Sequence, residues 1–430
     1  MLDQLLDILK SSGVYAWEVT DEKKEGWEFY FIRHALDQNR AKAVEHITVR
    51  VYQRIGEDRI GAASALLAPT ATAAEAKKLV ESLAYQATLA PNRIYTLQPH
   101  TAAHDAPRTE APVDVPAMAG EFLRTMASIP ETAGEDLNSY EIFTSAVTRR
   151  LITSTGIDVT ETYPSSMLEV VVNARSADHE IELYRMYKSG SPDAAGLRRD
   201  IARTMAYGRD RLHTAPTPAL GTADVLFSTD DAKEIYLYFI DRLDPAMLVR
   251  RMSDWTLGEP IDADIRGDRV TIEALRTLPN SSHNRAFDAE GAPIRDAVML
   301  RGNVPERFLG GRMFSCYMGL EDSFIPGNFA VSGGEKSEAA LREGRYLEVV
   351  EFSDFQVDAM TGNIFGEIRL GYWHDGETVT PVSGGSISGC MRDFVKEMYL
   401  SNERVQYDNF LLPAVTKLCG VTVTGIASEA

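Results

Sequence analysis

The sequence predicts an α+β fold, with an N-terminal domain of antiparallel strands backed by helices over 1–215 and a β-rich, barrel- or sandwich-like C-terminal domain over 216–430. Three observations predict it. Short alternating apolar runs in the first half are interleaved with amphipathic helical stretches. Glycine pairs punctuate apolar strands through the second half. The Ala-Pro-Thr-Pro stretch at 215–218 separates the two, because its prolines cannot continue a helix.

In chain order, Met1 to Lys10 carries Leu2, Leu5, Leu6 and Leu9 among acids and reads as an amphipathic helix. Tyr15 to Thr20 and Trp27 to Arg33 read as two strands. In His46 to Gln53, Ile47, Val49 and Val51 alternate with polar residues, as in a half-buried strand, and Arg59 to Leu67 is its pairing partner. Thr72 followed by Glu75 forms a capping box, in which hydroxyl and carboxylate each satisfy an orphan N–H at a helix start. Behind it Ala76, Leu79, Val80, Leu83, Ala84 and Ala87 share one face, and Pro91 ends the run. Residues 96–117, rich in Pro, Ala, Thr and His, read as a solvated surface connection, with His100 and His104 in a segment whose prolines oppose helix. Ser139 to Thr153, Met167 to Asn173 and Glu180 to Tyr187 are further strands, and a helix covers Asp193 to His213.

In the second half, strands are expected at Ala223 to Ser228, Ala297 to Arg301, Tyr346 to Ser353, Asn363 to Trp373, Thr378 to Val382 and Val421 to Ile426, with a helix over Asp230 to Leu243. The glycine pairs at 310–311, 333–334 and 384–385 mark places where the chain takes positive φ or another backbone approaches.

Charge narrows the function. With 44 Lys+Arg against 63 Asp+Glu the chain carries a formal −19, which repels phosphate backbones and anionic lipid, so no nucleic-acid or membrane partner is expected. The acidic first helix lacks the basic start of a secretory signal, and the uncharged stretch 61–74 is too short to span a bilayer. Cys316, Cys390 and Cys419 form no CxxC and read as buried, inert thiols. A cytoplasmic protein is expected.

Motif by motif, the bland reading prevails. Asp178-His179-Glu180-Ile181-Glu182 resembles a zinc-peptidase fragment, but Leu183 stands where the second imidazole is needed, leaving a solvated strand edge. In Gly333-Gly334-Glu335-Lys336-Ser337, Glu335 breaks the phosphate-loop spacing. Gly384 to Gly389 holds no nucleophile elbow and reads as a tight turn beside a strand. Carboxylates cluster at Asp230, Asp231 and Glu234 and at Asp262 and Asp264. Such pairs do acid/base work when buried together, and a metal-independent hydrolase using the first cluster is one possible reading.

The C-terminal half resembles the TldD/PmbA family. The resemblance is carried by Ala286-Phe287-Asp288-Ala289-Glu290-Gly291, Arg295-Asp296-Ala297-Val298 and Val357-Asp358-Ala359-Met360-Thr361-Gly362. It continues through Gly371-Tyr372-Trp373, Asp375-Gly376, Pro381-Val382, Ile387-Ser388-Gly389 and Leu411-Leu412-Pro413. Ile152-Thr153-Ser154-Thr155-Gly156 is similar to a family turn in the N-terminal half. The resemblance implies a two-subunit zinc peptidase whose metal-bearing, TldD-like subunit carries an HExxxH-type motif on the helix after the first strand of the second domain, with a later cysteine near the metal. In this chain Leu237, Tyr238 and Arg242 fall at the His, Glu and His places and Tyr407 near the cysteine's, and the segment 230–243 has no histidine.

Zinc at a hydrolytic site takes about three protein ligands and an open position for water. The resemblance with this departure therefore implies a noncatalytic, TldE/PmbA-like subunit without metal or other cofactor and without activity of its own. It would pair with a TldD-like zinc-bearing subunit that cleaves unfolded peptides or peptide precursors, and would offer a strand edge to the peptide. The alternative is a stand-alone homodimeric peptide-binding or scaffold protein that has lost the peptidase.

Overall fold

The computed structural model describes residues 1–108 and 112–426. After α1 (Leu2–Ser11) come β1 (Ala16–Ile32), β2 (Ala35–Ile55), β3 (Arg59–Leu67), α2 (Ala73–Ala87), β4 (Pro91–Arg93), α3 (Ala102–Asp105) and α4 (Val115–Ala127). Three long strands follow, β5 (Glu135–Thr153), β6 (Asp158–Arg175) and β7 (Glu180–Ser189), and then α5 (Ala194–Arg211). Strands β1 to β7 form one antiparallel sheet in the order β4-β3-β2-β1-β5-β6-β7. All the long helices lie on one face of it. Alternation along β1 sends Trp17 and Val19 into the cluster with Leu5, Leu9, Val80 and Leu83 of α1 and α2, and Phe29 and Phe31 toward Phe122, Met126, Leu197 and Ile201 of α4 and α5. The capping box forms as expected, with Thr72 N–H on Glu75 Oε2 at 2.8 Å and Glu75 N–H on Thr72 Oγ1 at 3.3 Å.

From residue 215 the chain builds two other sheets. Its elements are β8 (Ala215–Pro216), β9 (Gly221–Phe227), α6 (Ala232–Arg242), α7 (Pro245–Val249), β10 (Ile272–Leu275), β11 (Ala297–Arg301), β12 (Val304–Pro305), α8 (Arg312–Tyr317), β13 (Asn328–Val331) and α9 (Glu338–Leu341). The chain ends through β14 (Tyr346–Val357), β15 (Asn363–His374), β16 (Val379–Ser383), β17 (Ser386–Cys390), α10 (Met391–Phe394), β18 (Met398–Leu400), β19 (Arg404–Tyr407), β20 (Phe410–Pro413) and β21 (Thr416–Thr424). In the larger sheet β14 pairs β9, β9 pairs β21, β21 pairs β17, β17 pairs β15, and β15 returns to β14, so five strands close into a barrel. Its inward positions, such as Val225, Phe227, Val349, Ile364, Ile368, Val421 and Val423, join α6 in the largest core of the chain. A six-stranded sheet, β12-β11-β10-β13-β20-β19, packs beside it.

Several expectations are corrected. The two short strands at Tyr15 to Thr20 and Trp27 to Arg33 are one, β1, because the charged run between them is held in the ladder by β2 on one side and β5 on the other. Pairing overrides the low β-propensity of Asp, Glu and Lys. The reading of 96–117 as solvated loop fails at both ends. Residues 102–105 form a helical turn in which His104 is buried against the Phe287 ring, its Nε2 2.8 Å from the Gly291 carbonyl. Val115–Ala127 is α4, capped by the Asp114 carboxylate on Ala117 N–H at 2.9 Å. Residues 386–390 are a strand rather than part of a turn: Gly384 and Gly385, at φ 79° and 72°, kink a chain that stays antiparallel to β15 on both sides. The three cysteines are half-buried, not sequestered. Among the described residues no helix is long and apolar enough to cross a membrane.

Candidate functional site

A groove of about 820 Å³ runs along β7. Its walls are β7 from Tyr184 to Ser189, the first half of α5, the turn from Thr229 to Lys233 into α6, residues 279–283, and the tip of the β19–β20 hairpin. The sequence fixes these pieces through short side-chain clasps. Asn280, at φ 55°, accepts Gly190 N–H on its carbonyl at 2.8 Å and Ser191 N–H on Oδ1 at 2.8 Å, and returns Nδ2–H to Ser191 O at 2.7 Å. Asp408, at the hairpin turn, accepts Ser282 N–H at 2.7 Å and its hydroxyl at 2.5 Å, while Gln406 Nε2 donates to Pro279 O at 2.7 Å. Asp193 caps α5 through Gly196 N–H at 3.1 Å.

Strand β7 is the last of its sheet, so one of its sides has no strand partner. Which groups face that side follows from two bonds. Ser189 O accepts the Ser166 hydroxyl of β6 at 3.1 Å, so odd-numbered residues face β6, whereas Gly190 N–H points the other way to Asn280. Alternation therefore turns the N–H and C=O groups of Tyr184, Met186 and Lys188 toward the groove. Arg185 Nη1 donates to Tyr184 O at 2.9 Å and to Glu351 Oε2 of β14 at 3.1 Å, tying the strand to the barrel. Tyr184 and Met186 are 49% and 43% exposed on the face opposite the helices.

The titratable groups divide by burial. Burial pushes the Tyr407 phenol up, against the pull of Arg203, and its hydroxyl donates to Ser228 O at 3.2 Å. Burial, reinforced by Asp230, pushes Asp231 up to about 6, and among the described residues its carboxylate accepts one hydrogen bond, from the Thr229 hydroxyl at 3.3 Å. Burial also raises Glu234 and lowers His283, against the pull of Asp408 3.9 Å away. Asp230 faces the groove and pairs with Lys233 at 3.3 Å, but Asp231 and Glu234 do not line it, so the three carboxylates do not form one acid/base centre. Asp262 pairs with Lys396 at 3.9 Å and accepts Asp264 N–H at 2.8 Å.

The four positions that the resemblance places at the metal motif are not gathered at one point. Leu237 is half-buried against the main core. Tyr238 and Arg242, one turn apart on α6, line a separate cavity of about 320 Å³ with Trp255 and Arg392. Tyr407 lines the β7 groove. The Arg242 side chain is 2% exposed. It donates through Nη1 to Ala359 O at 3.2 Å and Met360 O at 3.3 Å, pairs with Asp254, and sits 5.5 and 5.0 Å from the Tyr238 and Trp255 ring centroids. This set does not fit zinc: it holds no imidazole or thiolate, and a fixed guanidinium would repel a second cation. Among the described residues no group of three His, Cys, Asp or Glu side chains is placed to hold a metal ion. The groove was not visible in the sequence, since the edge status of β7 is a matter of sheet order. The only local signal was the Pro279-Asn280 turn chemistry beside it.

Residues 220–425 match the family model of the PmbA/TldA metallopeptidase C-terminal domain. No curated protein matches the sequence. Among solved structures the chain is similar to TldE from Thermococcus kodakarensis, at 14% identity and a TM-score of 0.79, over 98% of this chain and 100% of that one. It is similar also to two proteins described as candidate modulators of DNA gyrase. The one from Thermotoga maritima shares 16% identity at a TM-score of 0.77, over 98% of this chain and 99% of its own. The one from Bacteroides thetaiotaomicron shares 13% at 0.76, over 99% and 98%. At such identities the structural likeness speaks for the fold, and the sequence pattern speaks for the C-terminal region. Residues 220–425 therefore belong, by their sequence pattern, to the TldD/PmbA family, and the chain as a whole shares the fold of these solved structures.

Proposed function

We propose that the chain is the noncatalytic, TldE/PmbA-like subunit of a two-component, TldD/TldE-type zinc metallopeptidase that acts on unfolded peptides or peptide precursors. The observation that carries the proposal is the content of α6: it has no histidine, the register implied by the resemblance sets Leu237, Tyr238 and Arg242 at the HExxxH-type places, and Arg242 is a buried cation braced by two carbonyls. Its role in the complex would be to bound a dry chamber and to present peptide to a TldD-like partner. The open side of β7 supports this, because an extended peptide that adds to a sheet edge binds through its backbone and needs no sequence motif.

Co-expression with a TldD-like protein from the same source is expected to give a stable complex that cleaves an unstructured peptide. The isolated chain is expected to be inert and zinc-free. Stoichiometric zinc in the isolated chain, measured by atomic emission, would refute the noncatalytic role.

A second reading, a stand-alone homodimer that binds or scaffolds peptides, is favoured by the edge position of β7, whose free side a strand of a second copy can join as a peptide would. Native mass measurement in extract separates the two, with self-association alone supporting the second and a heteromeric mass the first.

A further inference from the structure

The β7 groove departs in charge from the rest of the chain. Five of its side chains, Arg185, Lys188, Arg199, Arg203 and Lys233, are cationic and four, Asp193, Asp200, Asp230 and Asp408, are acidic, whereas acids outnumber bases 63 to 44 overall. The four carboxylates are already engaged. Asp193 caps α5, Asp230 holds Lys233, Asp408 binds Ser282, and Asp200 is shared by Arg199 and Arg203 at 3.3 Å each. The cations are not saturated: two guanidiniums divide one carboxylate, and exposed Lys188 has no hydrogen bond or ion pair among the described residues.

We propose that this groove selects extended acidic peptides, those rich in Asp and Glu, over neutral and basic ones. The inference rests on reading β7 as the edge that a peptide joins, and it adds the chemistry of the peptide. A strand added to β7 would lie about 4.8 Å away and send alternate side chains to opposite faces of the sheet. Carboxylates on one face meet Lys188, beside the apolar surface of Tyr184 and Met186. Carboxylates on the other face approach the α5 wall with Arg199 and Arg203. Backbone pairing holds the peptide, and the cations decide which peptide, since charge across an interface sets selectivity more than raw affinity.

The test measures binding of three fluorescently labelled peptides of one alternating sequence, with Glu, Gln or Lys at every second position, to the purified full chain by anisotropy. The Glu peptide is expected to bind roughly tenfold tighter than the Gln peptide, with the Lys peptide weaker still, and the gap to shrink toward unity as salt rises from about 0.05 to about 0.5 M. Lys188→Gln with Arg199→Gln is expected to erase most of the gap while leaving the Gln peptide's affinity within about twofold. Equal binding of the Glu and Gln peptides at low salt overturns the acidic selectivity and leaves the edge reading standing. No binding by any peptide overturns both. The salt series on the unmodified chain keeps the proposal falsifiable if the double variant does not fold.

Discussion

The seven-stranded sheet and the barrel treat the same liability in opposite ways. A sheet edge exposes unpaired N–H and C=O groups that recruit other strands. The barrel abolishes its edges by returning β15 to β14, and fills its interior with side chains. The N-terminal sheet keeps two edges and treats them differently. The part of β2 that extends beyond its partner β3, residues 35–46, carries Asp37, Arg40, Lys42 and Glu45, the charged blunting that discourages pairing. Strand β7 instead shows Tyr184 and Met186 beside a groove. On the proposed function the barrel supplies stability and β7 recognition, and substitutions in each region test that division.

The largest effect is expected in the α6 cavity. Arg242→Ala removes both donors from the Ala359 and Met360 carbonyls, takes the cation from between two rings, and opens a void, at a cost of about 3 kcal/mol in urea unfolding. Asp254, largely exposed, returns to water and adds little. Peptide binding at β7 should be unchanged at temperatures where the variant is folded. A loss under about 0.5 kcal/mol would show that Arg242 does not brace the C-terminal core.

Next is the barrel wall. Gly366 of β15 lies under two stacked phenyl rings, and a Cβ there would stand 2.7 Å from Phe352 and 2.9 Å from Phe355 ring atoms. Both rings are half-buried against the main core and must shift to admit the methyl, so Gly366→Ala should cost roughly 1–3 kcal/mol, measured by thermal unfolding. A neutral result would mean that the barrel interior is looser than its packing indicates.

A pH-dependent effect distinguishes the α6 N-terminus from both regions. Asp231 titrates at about 6 in the folded chain against about 3.9 unfolded, so between those values the native state binds the extra proton. Stability from this group is present below the unfolded value and is lost as pH rises through about 6. Asp231→Asn should therefore unfold like the parent at pH 4 and be more stable by about 1–2 kcal/mol at pH 7.5. Paired urea titrations at the two pH values decide it, and an equal difference at both would remove the buried-carboxylate account.

Much of the fold was legible because its signals are local. The capping box at Thr72 and Glu75, the alternation through Val49, and the helix ending before the prolines at 216 and 218 each act over a few residues. What escaped depends on distant partners. The charged middle of β1 is a strand only because β2 and β5 flank it, and His104 is buried only because Phe287 and Gly291 arrive from the other half of the chain. The helix α4 was the exception: its Asp114 cap and the spacing of Met118, Phe122 and Met126 were present in the sequence, hidden by the prolines around them. For the site, the resemblance could name Leu237, Tyr238, Arg242 and Tyr407, but not their separation, with Tyr238 and Arg242 in one cavity, Tyr407 in the β7 groove and Leu237 against the core. The β7 groove was not legible at all, since an edge is defined by the strand that is missing.

The smallest change in stability is expected where the functional consequence should be greatest. Proline has no N–H, and within a sheet it is tolerated where that N–H would face away from the neighbouring strand. Ser189 O faces β6 and Gly190 N–H faces away, so the Met186 N–H, two intervals before Gly190, also faces the groove. Met186→Pro therefore removes no ladder bond to β6 and should shift the unfolding free energy by less than about 1 kcal/mol. Tyr187→Pro, one residue on, deletes a ladder donor opposite Leu168 and should be clearly more destabilising than Met186→Pro. Peptide affinity should respond in the reverse order relative to stability: Met186→Pro takes away a donor that an added strand would use, and should weaken binding of the Glu peptide about tenfold. If Met186→Pro binds that peptide as the parent does, the backbone of β7 is not the docking edge, whatever the charge of the groove around it.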